Sequence, residues 1–500
     1  MAKKQKSKPA ILDLRKPHFK SFYYLLFAFF ILVFAVSMIT SDGASIRAAL
    51  FEDDTDSFMD HYNSVVYNEV DDPYEILVVY PPLASLLYKV CNLSIPSDDY
   101  YSLVTDPSEL AQSRILRIRQ SFVFQFLIYA IVAMLIFLAA LCLLKKGSSA
   151  EKAFFAAVTF ISFPFLYMAD RGNNVLLPVA FTIIFLVLYK HENKFMRELG
   201  LISLAVAIGL KLYPAAFLLI LIGDKRYKEL ARELVYVFVL LILPFFVFYN
   251  GIPSMMLMLR NLLGFDAKRT NEFNMAGPLD FKRMFFFLYG GLRKFTGITI
   301  EDNMREVYAN VCRYGLSAIC GIGAIFSKKM WKRTMLLAAV IYGFPGSAST
   351  YILLFMVIPT ALFLDEEDKP SFKNYLYLFL IAMTQVPFIM KSGGVYDRYY
   401  PTKLSSMAVL GLVLLELIDM IVAVVVWSEN RKVSGKPFWK TLWNLIMDSL
   451  FRKTPKAPAP VTVSGAEAPA ETGALPGPAE APQEAGVFAG VSPEEGGGGE

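Results

Sequence analysis

Residues 199–226 read LGLISLAVAIGLKLYPAAFLLILIGDKR. The stretch is long enough for one membrane crossing, which takes about 20 apolar residues. Yet Lys211 and Pro214 sit at its middle. A lysine at that depth is costly, and proline breaks helix continuity. The flanks add a second constraint. KHENKFMRE (190–198) and GDKRYKELAR (223–232) are both basic, and basic loops stay on the cytoplasmic side. Both ends therefore face inward, and the segment must double back. We read it as a short hairpin with KLYP (211–214) at its tip. A single crossing would put every later basic loop outside, including SKKMWKR (327–333). Irregular backbone at membrane depth is tolerated only where it lines a protein cavity, so the same hairpin marks a candidate site.

The rest of the chain agrees with a membrane reading. Its 500 residues are 55% hydrophobic and 19% charged; soluble domains run near 45–50% apolar and about 25% charged. This excludes a disordered, collagenous or disulfide-scaffold protein. Cys91, Cys142, Cys312 and Cys320 share no obvious external loop and imply no disulfide framework. No CxxC or histidine cluster is present, so neither metal nor cofactor is expected.

The spans organise outward from the hairpin. Residues 1–20 form a basic cytoplasmic N-terminus with seven Lys/Arg and one Asp. The apolar run 21–40 is too long for a signal-peptide core and reads as a retained first helix. Further spans are predicted at 121–144, 153–169, 174–190, 232–250, 305–326, 334–346, 349–364, 373–390 and 404–427. With the hairpin as two, the all-α polytopic fold has about twelve transmembrane helices. Residues 21–250 make a first module with an outer loop at 41–120, and 251–427 a second with its own outer loops. KPFWKTLWNLIMDSLF (436–451) suits an amphipathic interfacial helix. The tail, 453–500, is Ala/Pro/Gly/Glu-rich and is expected to be disordered and cytoplasmic.

Candidate chemistry clusters on the outer side. Residues 41–110 carry 14 Asp/Glu against Arg47 and Lys89. Asp56 and Asp60 are four apart and share a helical face, with Asn63 just beyond. A carboxylate there can act as general base toward a hydroxyl. Most of the other acids, Asp53, Asp54, Asp71 and Asp72 among them, read as solvated charge. Tyr80-Pro81-Pro82-Leu83 fixes backbone shape before a helix too short to span. Lys211 is either functional or snorkelling. Arg171, in the turn Arg171-Gly172-Asn173-Asn174, is suited to phosphate, or else caps two helices. Arg269-Thr270-Asn271 with Asn274, and Tyr396-Asp397-Arg398-Tyr399-Tyr400, fit either sugar and phosphate contacts or an aromatic belt.

The order DSFMDHYNSVVY, YPPLASLLY, RGNN, GLKLYPAAFLL resembles the GT-C superfamily of integral membrane glycosyltransferases. The closest likeness is to the polyprenyl-phosphomannose-dependent α-1,2-mannosyltransferase branch, over about residues 21–250. The resemblance implies a polyprenyl-phosphate sugar donor, a lipid or glycan acceptor and membrane-lipid contacts, with no nucleic-acid partner. It also implies an inverting displacement at the outer face of the cell membrane. Carried onto this sequence, the base is Asp60, with Asp56 second. The candidate substrate contacts are Arg171, Asn173, Lys211, Tyr213, Tyr80 and Asn63 within that stretch, and Arg269 and Arg398 beyond it, on their residue types alone. Where some relatives have an aromatic residue after the aspartate, this chain has His61. A divalent ion on Asp56 and Asp60 stays open. The competing class is a transporter or flippase of lipid-linked glycans, which would favour inverted repeats and a midplane site. A structural role would leave Lys211 and the acidic loop without a purpose.

Overall fold

A computed structural model of the chain describes residues 19–50, 57–68, 70–93, 126–269, 280–345, 350–367, 370–386, 391–392, 395–396 and 400–432. In chain order the helices are α1 (Phe19–Thr40), α2 (Ala44–Ala49), α3 (Met59–Tyr67), α4 (Pro82–Asn92), α5 (Val132–Leu144), α6 (Ser149–Phe160), α7 (Phe163–Arg171), α8 (Leu176–Leu188) and α9 (Lys194–Leu210). They continue with α10 (Leu218–Gly223), α11 (Tyr227–Ile242), α12 (Pro253–Arg269), α13 (Phe281–Thr296), α14 (Asp302–Phe326), α15 (Met330–Gly343), α16 (Val357–Glu366), α17 (Phe372–Met383) and α18 (Tyr400–Lys432). Among the described residues the only strands are the two-residue pair Lys391–Ser392 and Val395–Tyr396.

Helix starts follow local chemistry. Ser148 and Glu151 form a reciprocal capping box before α6, satisfying amide donors that no carbonyl can reach. The Asn193 side chain accepts from two amides opening α9, and Asp280 caps α13. Burial then separates two kinds of helix. α8 is apolar and buried almost throughout. α1 and α11 instead point Leu25, Phe29, Leu32, Leu234, Val235 and Phe238 outward. Apolar surface of that kind is stable only against lipid or a partner.

Among the described residues four helices are long and apolar enough to cross a membrane, and α6 with α7, bent by 57°, makes up to five. The α6–α7 break divides the predicted span 153–169 at Ile161–Ser162, where Pro164 enters the first turn of α7. The predicted span 349–364 likewise begins as a 3-10 segment, Thr350–Met356, before α16. Residues 436–451 and 453–500 lie outside the described residues.

The segment 199–223 has its two ends together. Asp224, just past α10, accepts from Tyr189 Oη and Arg333 Nη1 at 2.9 and 2.6 Å and pairs with Lys190 at 2.7 Å. Glu198 near the start of α9 pairs with Arg232, and Glu229 pairs with Arg226. The chain thus enters and leaves this segment at one end. The break between, Lys211 to Phe217, is an extended residue followed by a 3-10 turn.

Candidate active site

The site begins with a contact between segments far apart in sequence. Phe58 precedes α3 with φ 62°, a left-handed conformation that persists in a bulky residue only when its surroundings hold it. Its N–H donates to the Asp170 carbonyl, and the Ser57 hydroxyl donates to Asp170 Oδ1. Opposite, α7 ends at Gly172 with φ 61°. A Cβ there would lie 2.7–2.9 Å from three atoms of the Phe58 ring, so glycine is required for both its conformation and its space.

This contact brings Asp60, in the first turn of α3, to Arg171, the last residue of α7. Asp60 Oδ1 accepts from Arg171 Nη2 at 2.7 Å and Nε at 3.3 Å. Its Oδ2 accepts from Asn173 Nδ2 at 2.9 Å. The Asn173 amide is oriented in turn because its Oδ1 accepts from the Val175 N–H. Each charge suits its helix end, a carboxylate at an N-terminus and a cation at a C-terminus. Both side chains are 19% exposed, so the pair is held yet reachable.

Lys211 is buried at the end of α9. Its ammonium lies 4.1 Å from the centroid of the Tyr80 ring, a cation–π contact, and within electrostatic reach of Asp60. Burial and the negative charge of Asp60 raise the Tyr80 hydroxyl above the ordinary tyrosine value, which keeps it a neutral donor. The Tyr80 backbone is fixed from the other side: its carbonyl accepts from Tyr74 Oη. The Tyr213 hydroxyl, two residues beyond Lys211, is buried without a hydrogen-bond partner among the described residues.

Asn63 is half-buried one turn along α3, and its side chain makes no hydrogen bond among the described residues. Arg269 ends α12, but its side chain lies outside the described residues, as do Asp56 and Arg398 altogether. Asp72 corrects the reading of a solvated acid. It is buried and caps Tyr74, while Asn250 Nδ2 and Ser254 Oγ donate to its Oδ2. That tie joins the loop before Tyr80 to the start of α12.

Sequence reasoning missed three groups. His61 is buried, its ring 4.9 Å from Tyr129 and 5.9 Å from Tyr88. Tyr129 and Phe58 line a cleft together with Met168, Gly172 and Asn173. Asn174 is buried with both amide atoms unpartnered among the described residues; its place in the RGNN turn was the available signal. Tyr351, whose ring stacks on Tyr167 of α7, comes from a stretch with no motif. Among the described residues no group of three His, Cys, Asp or Glu side chains is placed to hold a metal ion.

Lipid-facing apolar helices around an enclosed carboxylate–guanidinium pair with a nearby buried ammonium define a helical membrane protein with a polar site. Residues 79–278 match the model of glycosyltransferase family 87, which indicates glycosyltransferase activity. The match covers two fifths of the chain. It includes Tyr80, Arg171, Asn173, Lys211, Tyr213 and Arg269, whereas Asp60 precedes it. No curated protein and no solved structure matches the chain.

Proposed function

We propose that the protein transfers a hexose, mannose in the first instance, from a polyprenyl-phosphate donor to a hydroxyl of a lipid or glycan. The observation that carries this reading is the Asp60 carboxylate gripped by Arg171 and Asn173, with the Lys211 ammonium close by. In the proposed step the acceptor oxygen attacks the anomeric carbon. The bond from that carbon to the phosphate oxygen breaks, and its electron pair leaves with the phosphate. The acceptor proton passes to Asp60. A single displacement inverts the anomeric centre, so a β-linked donor gives an α-linked product.

The ion pair adds a coupling. While Asp60 is ionised, Arg171 is committed to it. Once Asp60 takes the proton, the guanidinium charge is released toward the departing phosphate. Lys211 supplies a second preorganised cation, and such charges act most strongly where water is excluded.

The proposal places the chain in the GT-C superfamily, with about twelve crossings counted over short and broken helices. It sets both termini on the cytoplasmic side of the cell membrane and the Asp60 site on the outer face. The Asp224–Lys190–Arg333 tie, at the basic end of the hairpin, supports that orientation.

The test is to incubate the purified protein with β-linked polyprenyl-phosphate-mannose and glycolipid acceptors and assign the product anomer by NMR. An α-linked product is expected. A β-linked product refutes the displacement. Movement of lipid-linked sugar across vesicles without any transfer would favour a transporter instead.

A further inference from the structure

The 3-10 segment Thr350–Met356 lies in the C-terminal half, beyond the stretch that matches the family model. It is anchored at its start, where the Thr350 and Thr402 hydroxyls share a hydrogen bond of 2.7 Å. From there it bridges two walls of the Asp60 site. On one side the Tyr351 ring stacks on Tyr167 of α7, centroids 6.3 Å apart and planes 25° from parallel. Tyr167 precedes Arg171 by four residues, so the two share a face of that helix. On the other side Phe355 meets the Tyr213 ring edge-on at 5.6 Å and packs against Phe217 at 6.1 Å. Tyr351 lies within electrostatic reach of Asp60, Tyr80 and Tyr213.

The polar groups of this wall have unused capacity. The Tyr351 hydroxyl makes no hydrogen bond among the described residues. Among the described residues the Tyr213 hydroxyl is buried without a partner, and so are both amide atoms of Asn174 in the turn that follows α7. Buried polar groups are normally paired, and each that is not needs a reason. Several together, beside a carboxylate that accepts protons and cations that hold phosphate, call for a ligand rich in hydroxyls. Aromatic faces carrying hydroxyls suit a sugar ring, which offers apolar C–H faces and polar edges.

We propose that Tyr351 is a sugar-binding residue: its hydroxyl hydrogen-bonds the transferred sugar, with Tyr213 and Asn174 completing the same wall. The inference rests on the glycosyltransferase reading and extends it, because it makes the C-terminal half part of the site and assigns it the sugar rather than the phosphate. A missing phenolic hydroxyl should then weaken binding of the sugar-bearing lipid alone. Loss of one neutral hydrogen bond corresponds to about three- to tenfold in affinity.

The experiment measures binding of two probes, polyprenyl-phosphate-mannose and the bare polyprenyl phosphate, to purified wild type and Tyr351→Phe. Wild type should bind the mannosylated lipid more tightly. Tyr351→Phe should lose that preference while binding the bare phosphate as before, and should raise the KM for donor more than it lowers kcat. Tyr213→Phe should act in the same direction. Unchanged preference in Tyr351→Phe overturns the proposal, and so does equal loss of both ligands, which would mark a packing role. If wild type binds neither lipid and transfers no mannose, the functional reading itself fails; the Tyr351 proposal fails alone only when wild type shows both.

Discussion

Replacing Gly172 with alanine tests how the site is built. Two costs arise at one Cβ. The backbone sits at φ 61°, where a side chain costs about 1–2 kcal/mol. The new methyl would also fall 2.7–2.9 Å from three Phe58 ring atoms. Relieving that overlap forces the ring to shift, and overpacking of this kind costs about 1–3 kcal/mol. Together the loss is about 2–5 kcal/mol if the two add. Gly297 provides the control, since at φ 70° nothing lies within 4 Å of its built Cβ. Gly297→Ala should show the backbone cost alone. Phe58 precedes the helix that presents Asp60, so the shift should reach the carboxylate. A misplacement approaching 1 Å can lower turnover about 100-fold. The assay is unfolding in detergent together with sugar transfer, for both single variants and for Gly172→Ala combined with Phe58→Ala. The double variant should be less unstable than the sum of its parts, because the second change removes the clash. Equal stability and activity for Gly172→Ala and Gly297→Ala would refute the reasoning.

Other expectations follow from the same geometry. Lys211→Met should leave the protein folded and lower kcat by about 100- to 1,000-fold, the range for removing one preorganised charge-stabilising group; turnover near wild type would remove Lys211 from the chemistry. Asp72→Ala should destabilise by about 1–3 kcal/mol through the donors it strands, read by thermal unfolding, and should lower activity by loosening Tyr80. Asp224→Ala should destabilise by about 3–5 kcal/mol, because Arg333 is left buried with its charge unpaired, while activity per folded molecule stays unchanged. Burial pushes the Asp224 carboxyl up, but Lys190 and Arg333 outweigh it and hold the group below its ordinary value of 3.8. Its contribution is therefore full above that value and is lost as the pH falls below it, so Asp224→Ala and wild type should converge in stability only under acid.

Much of this was legible in the sequence, for identifiable reasons. The Lys211–Pro214 break showed itself because two basic flanks conflict with a single crossing, a constraint that needs no tertiary structure. Asp60, Arg171, Asn173, Tyr80 and Lys211 were singled out as candidates by charge placement and motif order. What no local pattern reveals is who faces whom. Asp60 and Arg171 are separated by 111 residues, and the fit of Phe58 against Gly172 depends on where two helix ends meet. Asp72 looked like solvated charge because a run of acids gives no hint of which one turns inward. Its partners, Asn250 and Ser254, come from the turn before another helix and from that helix's start. Tyr351 was invisible for the same reason, being one aromatic residue in an apolar run. The 57° bend between α6 and α7 had a signal in Pro164, but hydropathy alone smoothed over it.

The central claim is that Asp60 takes the acceptor's proton. It is tested most directly by measuring kcat for purified Asp60→Asn, with folding checked by thermal unfolding and donor affinity measured in parallel. A nearly isosteric amide cannot serve as the base, and the account predicts a fall of about 100- to 10,000-fold in kcat with the lipid-phosphate donor still bound. Turnover within a few-fold of wild type in the folded variant would contradict it.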